Sequence, residues 1–477
     1  MQEKLWGERG PAQAAASLRQ SLTTLRSLLN CNGEVICADR TWVWLDPELI
    51  EFDHLLPGAD GEILRGFDLC EEGFNDWLRS TRAEFATRAA KPGSEDTAIT
   101  LDRLWHIEAP VCRGEHSRVV SICDFLHESL VEALAVIGVN AAIGREPQAL
   151  APRASDMIVR LRGLQFGTSC ALSLSVTDGF GALKWQIRRE VEQTRWPDIR
   201  AVQIELSEMF QDFVLRAEAS ALRGARWSAH AYGCQALLGV LVPGSIPLSE
   251  ITRCSQAAIA ADEKGVYHAL LGFSRLLLFG ERVMRTVPDA DEVLQSFRAA
   301  LRLSPGNGLV QALAGHSYGF LMRDLDRNAA MTAEAVRLLP GSGACWLFRA
   351  ISLVYCGRYS EAVIAAKHAV SLCRGTQAQP LALSTELFAR LMAGDTSGAI
   401  RAGKVSLDTI VFRPTIIDLM TAYAVEGRVS EGRAKLELLV AREPDLSVDM
   451  LRSTDYPIVN TAHRVLITEA AGRLGLR

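Results

Sequence analysis

Residues 300–306 read ALRLSPG, residues 335–341 read AVRLLPG and residues 369–375 read AVSLCRG, at offsets of thirty-five and thirty-four residues. Each stretch is the end of an amphipathic helix and the turn after it. Between the last two, GRYSEAV at 357–363 supplies a loop and the start of another helix. It recurs in weakened form as GDTSGAI at 394–400 and GRVSEGR at 427–433. A period near 34 with small residues where helices cross describes paired helices. One such pair cannot bury its apolar face alone, so pairs stack into a solenoid with a concave surface.

Working outward, helical patterning extends over 198–477, with a long helix predicted at 198–223 and one or two further pairs within 224–290. Gly357, Tyr359 and Ala362 match the tetratricopeptide motif, which this region resembles. The tail REPDLSVDMLRSTDYP is similar to the closing stretch of tetratricopeptide regulators, so the chain is expected to end naturally there. Such arrays bind protein or peptide partners. The sequence marks no ligand groove, and a partner-binding surface and a packing scaffold stay equally open.

Before the array the grammar is mixed α/β over 101–195. Strands are expected at Val119–Ile122, Gly138–Ile143, Met157–Leu164, Cys170–Thr177 and Leu183–Arg189, with a helix over Asp124–Ala135 and a loop at Ala149–Ala154. Alternation is clearest in Met157–Val159–Leu161. DFLHESLVEALAVIGVNAAIGR and VTDGFGALKWQIR, with Trp185 closing the meander, resemble the TolB-like N-terminal domain. AKPGSEDT at 90–97 reads as a linker in front of it.

The N-terminus reads LWGERGPAQAAASLRQSLTTLRSLLNCNGEVICADRTWVWL over Leu5–Leu45. Its pattern is a helix end, a turn at Gly7–Pro11, a helix from Ala12 to Leu29, and two short strands, Glu34–Ala38 and Trp42–Leu45. That order is the back half of a winged helix-turn-helix, whose second helix lies in the major groove of DNA. Ala15, Leu18, Leu22, Leu25 and Leu29 make one apolar face. Gln13, Ser17, Gln20 and Thr24 lie opposite as candidates for base contacts, with Arg19, Arg26 and Arg40 as candidates for phosphates. An ordinary amphipathic helix with a solvated face has the same spacing.

The run at 5–29 resembles the OmpR-type winged helix of SARP-type bacterial activators. FDLCEEGFNDWLRSTRAEF, with Trp77, Leu78, Arg79 and Arg82, resembles the bacterial transcriptional activation domain beside it. Met1 falls inside what would be the second helix, so the resemblance is to an N-terminally truncated member. It implies double-stranded DNA and RNA polymerase as partners.

The totals bound the rest. A net charge of −5 is not that of a protein coating nucleic acid, and 48% apolar with 22% charged residues fits a soluble globular chain. The eleven cysteines contain no C-x-x-C pair, and Cys170, Cys234 and Cys345 lie in apolar runs. Free core thiols in a reducing cytoplasm are expected. No apolar run reaches membrane-span length, and MQEKLWGERG lacks a signal-peptide core. DGFGALK at 178–184 lacks phosphate-loop spacing, His106, Cys112 and His116 are not spaced for zinc, and no nucleophile elbow occurs. No catalytic, cofactor or metal residue is assigned.

The expectation is a multidomain, mainly α chain. It has a partial winged helix (1–46), an activation-type helical segment (47–90), a small TolB-like α/β domain (101–195) and a tetratricopeptide-type α-solenoid (198–477). The expected function is a DNA-binding transcriptional regulator, with a protein-interaction adaptor as the alternative.

Overall fold

The structure is a computed structural model that describes residues 10–28, 36–38, 43–45, 75, 78–79, 103–113, 117–144, 156–166, 169–192, 199–220 and 228–477. The chain divides into two compact units, Met1–Ile99 and Thr100–Arg477. Among the described residues no helix is long and apolar enough to cross a membrane.

In the first unit, α1 (Pro11–Leu28) starts where the Gly10 carbonyl accepts from the Gln13 and Ala14 amides. Proline at the first helical position has no N–H to leave unpaired. Strands β1 (Ile36–Ala38) and β2 (Val43–Leu45) pair antiparallel with Ile36 opposite Leu45. Most of the activation-type segment, including Trp77, lies outside the described residues, as do the Trp6 helix end, the linker and the Ala149–Ala154 loop. Within that segment Asn75, Leu78 and Arg79 are helical.

The second unit opens with β3 (Trp105–Glu108) and β4 (Val111–Arg113), followed by α2 (Ser117–Val136), β5 (Ala141–Gly144), β6 (Met157–Phe166), β7 (Ser169–Asp178) and β8 (Leu183–Glu192). The sheet order is β5-β3-β6-β7-β8, with β4 also on β6. β3 runs parallel to both neighbours, and β6, β7 and β8 form an antiparallel meander. Residues Val119–Ile122, expected as a strand, belong to α2. Their β-branched side chains suggested a strand. However, Val119, Cys123, Leu126, Leu130 and Leu134 recur at three and four residues, and all are buried against the sheet. Gly138, at φ +80°, turns the chain out of α2, so the following strand begins at Ala141 rather than Gly138.

The next helix, α3 (Ile199–Ser220), lies between sheet and array. Phe210 and Phe213 meet Trp105 edge-on at 6.0 and 6.2 Å, and Trp105 Nε1 donates to Glu218 at 2.8 Å. Gln203 and Gln211 donate to the Ile122 and Ala133 carbonyls of α2. On the array side, Glu208 accepts from the Gly343 amide at 3.3 Å and Asp212 from the Gln377 amide at 2.7 Å. One continuous core therefore runs from Trp105 into the helical pairs.

The described residues hold six successive helix pairs. They are α4/α5 (Ala229–Leu241, Leu248–Ala261), α6/α7 (Gly265–Gly280, Ala290–Leu303), α8/α9 (Gly308–Met322, Leu325–Leu338), α10/α11 (Gly343–Tyr355, Tyr359–Leu372), α12/α13 (Gln379–Met392, Thr396–Leu407) and α14/α15 (Arg413–Val425, Val429–Arg442). Two more helices follow, α16 (Val448–Arg452) and α17 (Thr461–Arg473). The first helix of each pair packs on the first helix of the next, forming the inner layer. The repeated loop motif has a backbone cause. Gly357, Gly394 and Gly427 take φ of +73°, +82° and +79° just before a second helix starts. Arg323 holds the same place in the α8/α9 pair at φ +58° without glycine.

The array also closes on itself. Arg413 donates to the Gly280 carbonyl and to Glu443 and Tyr456, and Tyr456 donates to Glu443 at 3.1 Å. Arg285 pairs with Asp445 at 2.6 Å. The end of α6 is thus tied to the last pair and the C-terminal stretch. The described cysteines are free thiols, and Cys170, Cys234 and Cys345 are fully buried, as their apolar settings implied.

Candidate functional site: an aromatic chamber inside the helical array

Helical periodicity puts residues three, four and seven apart on one face. On α10 this face carries Phe348, Ile351 and Tyr355; on α12 it carries Leu381, Ser384 and Phe388; on α8, His316 and Phe320. Phe273 comes from α6 and Asp418 from α14, while Pro457–Val459 and His463 enclose the far side. The chamber between them has a volume of about 180 Å³.

Its rings interlock. His316 is stacked on Phe320 (5.6 Å, 17°) and lies 5.7, 5.3 and 5.9 Å from Phe273, Phe348 and Tyr355. Phe388 lies 4.7 Å from His463. Burial pushes the His316 imidazole down to about 4, so it is neutral at neutral pH, and its Nδ1 has no hydrogen-bond partner among the described residues. Burial raises the Tyr355 phenol above its usual range. Asp418, only 4% exposed, meets His463 Nε2 through Oδ1 at 2.7 Å. Ser384 and Thr415 hydroxyls bond each other at 2.7 Å. At the rim, burial lifts Glu281 to about 7 against the pull of Arg413 and Arg442. An apolar enclosure with a few fixed polar groups is the usual form of a ligand pocket.

Apart from Arg40, the residues singled out for DNA lie on α1, in the other unit. Gln13, Arg19, Gln20 and Thr24 are exposed and Ser17 is half-buried. Ser17 follows Ala14, which is 4% exposed, by three residues, and so shares part of its packed face. The Thr24 hydroxyl donates to the Gln20 carbonyl at 3.1 Å and Arg19 Nε to the Ala15 carbonyl at 3.3 Å. The Arg26 side chain and Arg40 lie outside the described residues. Among the described residues no group of three or more His, Cys, Asp or Glu side chains is arranged to hold a metal.

Sequence reasoning missed the chamber. One signal was present: Phe320, Tyr355 and Phe388 end three successive first helices, thirty-five and thirty-three residues apart, in step with the repeat.

No protein-family model and no curated protein sequence matches the chain. Among solved structures it is similar to the Rap protein complexed with competence and sporulation factor. That match has 11% identity and a TM-score of 0.36, over 58% of this chain and 84% of that one. It is also similar to yeast Tom70, at 13% identity and a TM-score of 0.31, over 58% of this chain and 54% of that one.

Proposed function

We propose that this chain is a non-enzymatic regulator whose helical array receives a protein or peptide segment in the aromatic chamber. The unit containing α1 delivers the output on double-stranded DNA. In its finest form this is an activator of the SARP type acting through RNA polymerase, with the sheet as a TolB-like connector.

The chamber is the observation that carries the proposal. A solenoid serving only as scaffold gains from a filled interior, because each lost contact destabilises the core. Here rings from successive pairs and from the C-terminal stretch line open space instead. A peptide array probed with the wild-type chain and with Ile351→Trp, which fills the chamber, tests it. Peptides held by the wild type and released by the variant are expected. If every retained peptide ignores the substitution, the chamber is not the receptor.

The DNA half draws on the exposed Gln13, Arg19, Gln20 and Thr24 and the hairpin after them. In a mobility shift, Arg26→Ala should weaken binding to all sequences alike, while Gln20→Ala should relax sequence preference. A protein-interaction adaptor without a DNA contact is the second reading. It is favoured by the half-burial of Ser17 and by the Thr24 hydroxyl donating to its own helix.

A further inference from the structure

The chamber's charged groups differ in how fully they are matched. Arg413 donates once from each of its three guanidinium nitrogens, to Glu443, the Gly280 carbonyl and Tyr456. Glu281 accepts from the Arg413 amide at 3.1 Å and faces Arg442 at 3.6 Å. Asp418 is the exception. Its Oδ1 meets His463, and its Oδ2 accepts no hydrogen bond from the described residues. Asp418 stands on the chamber wall, and Oδ2 is not among the sealed unpartnered atoms, so it opens to the chamber. Beside it, the Phe388 ring packs on His463 at 4.7 Å and Tyr355 packs on Phe388 at 6.5 Å. The Tyr355 hydroxyl also forms no hydrogen bond with the described residues, and His316 adds a neutral ring.

A buried carboxylate oxygen needs a donor, and a cation over aromatic faces is attracted by the ring quadrupoles. An apolar cavity of about 150 Å³ holds a benzene ring. The space here, about 180 Å³, suits one ring-sized body and a small head. We infer that the chamber is an amine site: it takes a ligand with an aromatic or branched aliphatic body and a protonated ammonium head, the head seated on Asp418 Oδ2 beside the Tyr355 and Phe388 rings. The inference rests on the reading of the chamber as a ligand site and names the chemistry it selects. The head group is the same in a free arylalkylamine and in the N-terminus of a peptide.

Calorimetric titration of the full chain tests it with three ligands of one shape: phenethylamine, propylbenzene and 3-phenylpropanoate. The amine is expected to bind at least tenfold tighter than the hydrocarbon, with the carboxylate weakest. Asp418→Asn, which can still accept from His463, should bring amine and hydrocarbon within about twofold of each other. If the wild type binds amine and hydrocarbon equally, the amine inference is overturned and the chamber reading survives. If it binds none of the three, the chamber reading itself fails. The wild-type comparison decides even if the variant does not fold. Phe-Ala-amide and its N-acetyl form then separate the sources. Tighter binding of the free peptide than of phenethylamine assigns the head to a peptide N-terminus, and the reverse assigns it to a small amine. Equal binding by the free and acetylated peptides counts against the ammonium.

Discussion

Arg413 and Asp418 stand five residues apart on α14, and the two polar clusters they centre could hardly be used more differently. Around Arg413, 2% exposed, all three guanidinium nitrogens, both Glu443 oxygens and the Tyr456 hydroxyl are hydrogen-bonded across the join between α6 and the last pair. Around Asp418, nearly as deep at 4%, a carboxylate oxygen and a phenol on the chamber wall take no hydrogen bond from the described residues. The same array thus holds one network completed by the protein and one that needs something from outside. The first is a fastening, the second a receptor. Burial alone does not separate them; the count of unmet hydrogen bonds does.

The largest expected effect comes from breaking the completed network. Arg413→Ala leaves buried Glu443 with only Arg282, at 3.6 Å, and the Tyr456 hydroxyl, and should cost about 3 kcal/mol in urea denaturation. Replacing Arg413, Glu443 and Tyr456 together by Met, Leu and Phe should recover most of that loss, because a buried ion pair is often no better than apolar packing. If the triple variant is as unstable as the single, the cluster acts through shape rather than charge.

The chamber lining should instead appear in the pH dependence. His316 titrates near 6.5 when unfolded and about 4 when folded, so between these values the unfolded chain binds more protons. Stability from this group is full above pH 6.5 and lost as pH falls toward 4. Glu281, raised to about 7, works in the other direction: its penalty grows as pH rises from 4.5 to 7. His316→Phe should therefore flatten the acid limb, and Glu281→Gln should remove the fall on the neutral side. An unchanged profile in both variants would show that neither group is held as described.

Smaller effects sharpen the comparison by sampling the frame around both clusters. Gly357→Ala forces an L-residue into the left-handed region and should cost about 1 kcal/mol, and Arg323→Gly should return roughly the same by thermal melting. The smallest effect belongs to Arg285→Ala. Its partner Asp445 is in open solvent, so the melting temperature should not move measurably.

How much of this was legible follows from the distance over which each feature is written. The helix pairs were readable because Gly357, Gly394 and Gly427 repeat a local backbone need in step with the fold. The meander was readable from alternation within single strands, whereas β3 and β4, four and three residues long, are too short to show a period. Val119–Ile122 misled because local β preference gave way to burial of α2 against the sheet. The chamber was opaque for a different reason. Asp418 and His463 are 45 residues apart, and Arg413 reaches the Gly280 carbonyl across 133, so only the winding of the array makes them neighbours.

α3 has a mechanical consequence. Two of its carboxylates, Glu208 and Asp212, grip the backbone at the starts of α10 and α12, the helices that supply Phe348, Tyr355 and Phe388. From the same rod, Gln203 and Gln211 grip α2 on the sheet. Two chamber walls and the helix that covers the sheet are therefore anchored to one rod, so the walls cannot be separated without loading bonds on that rod.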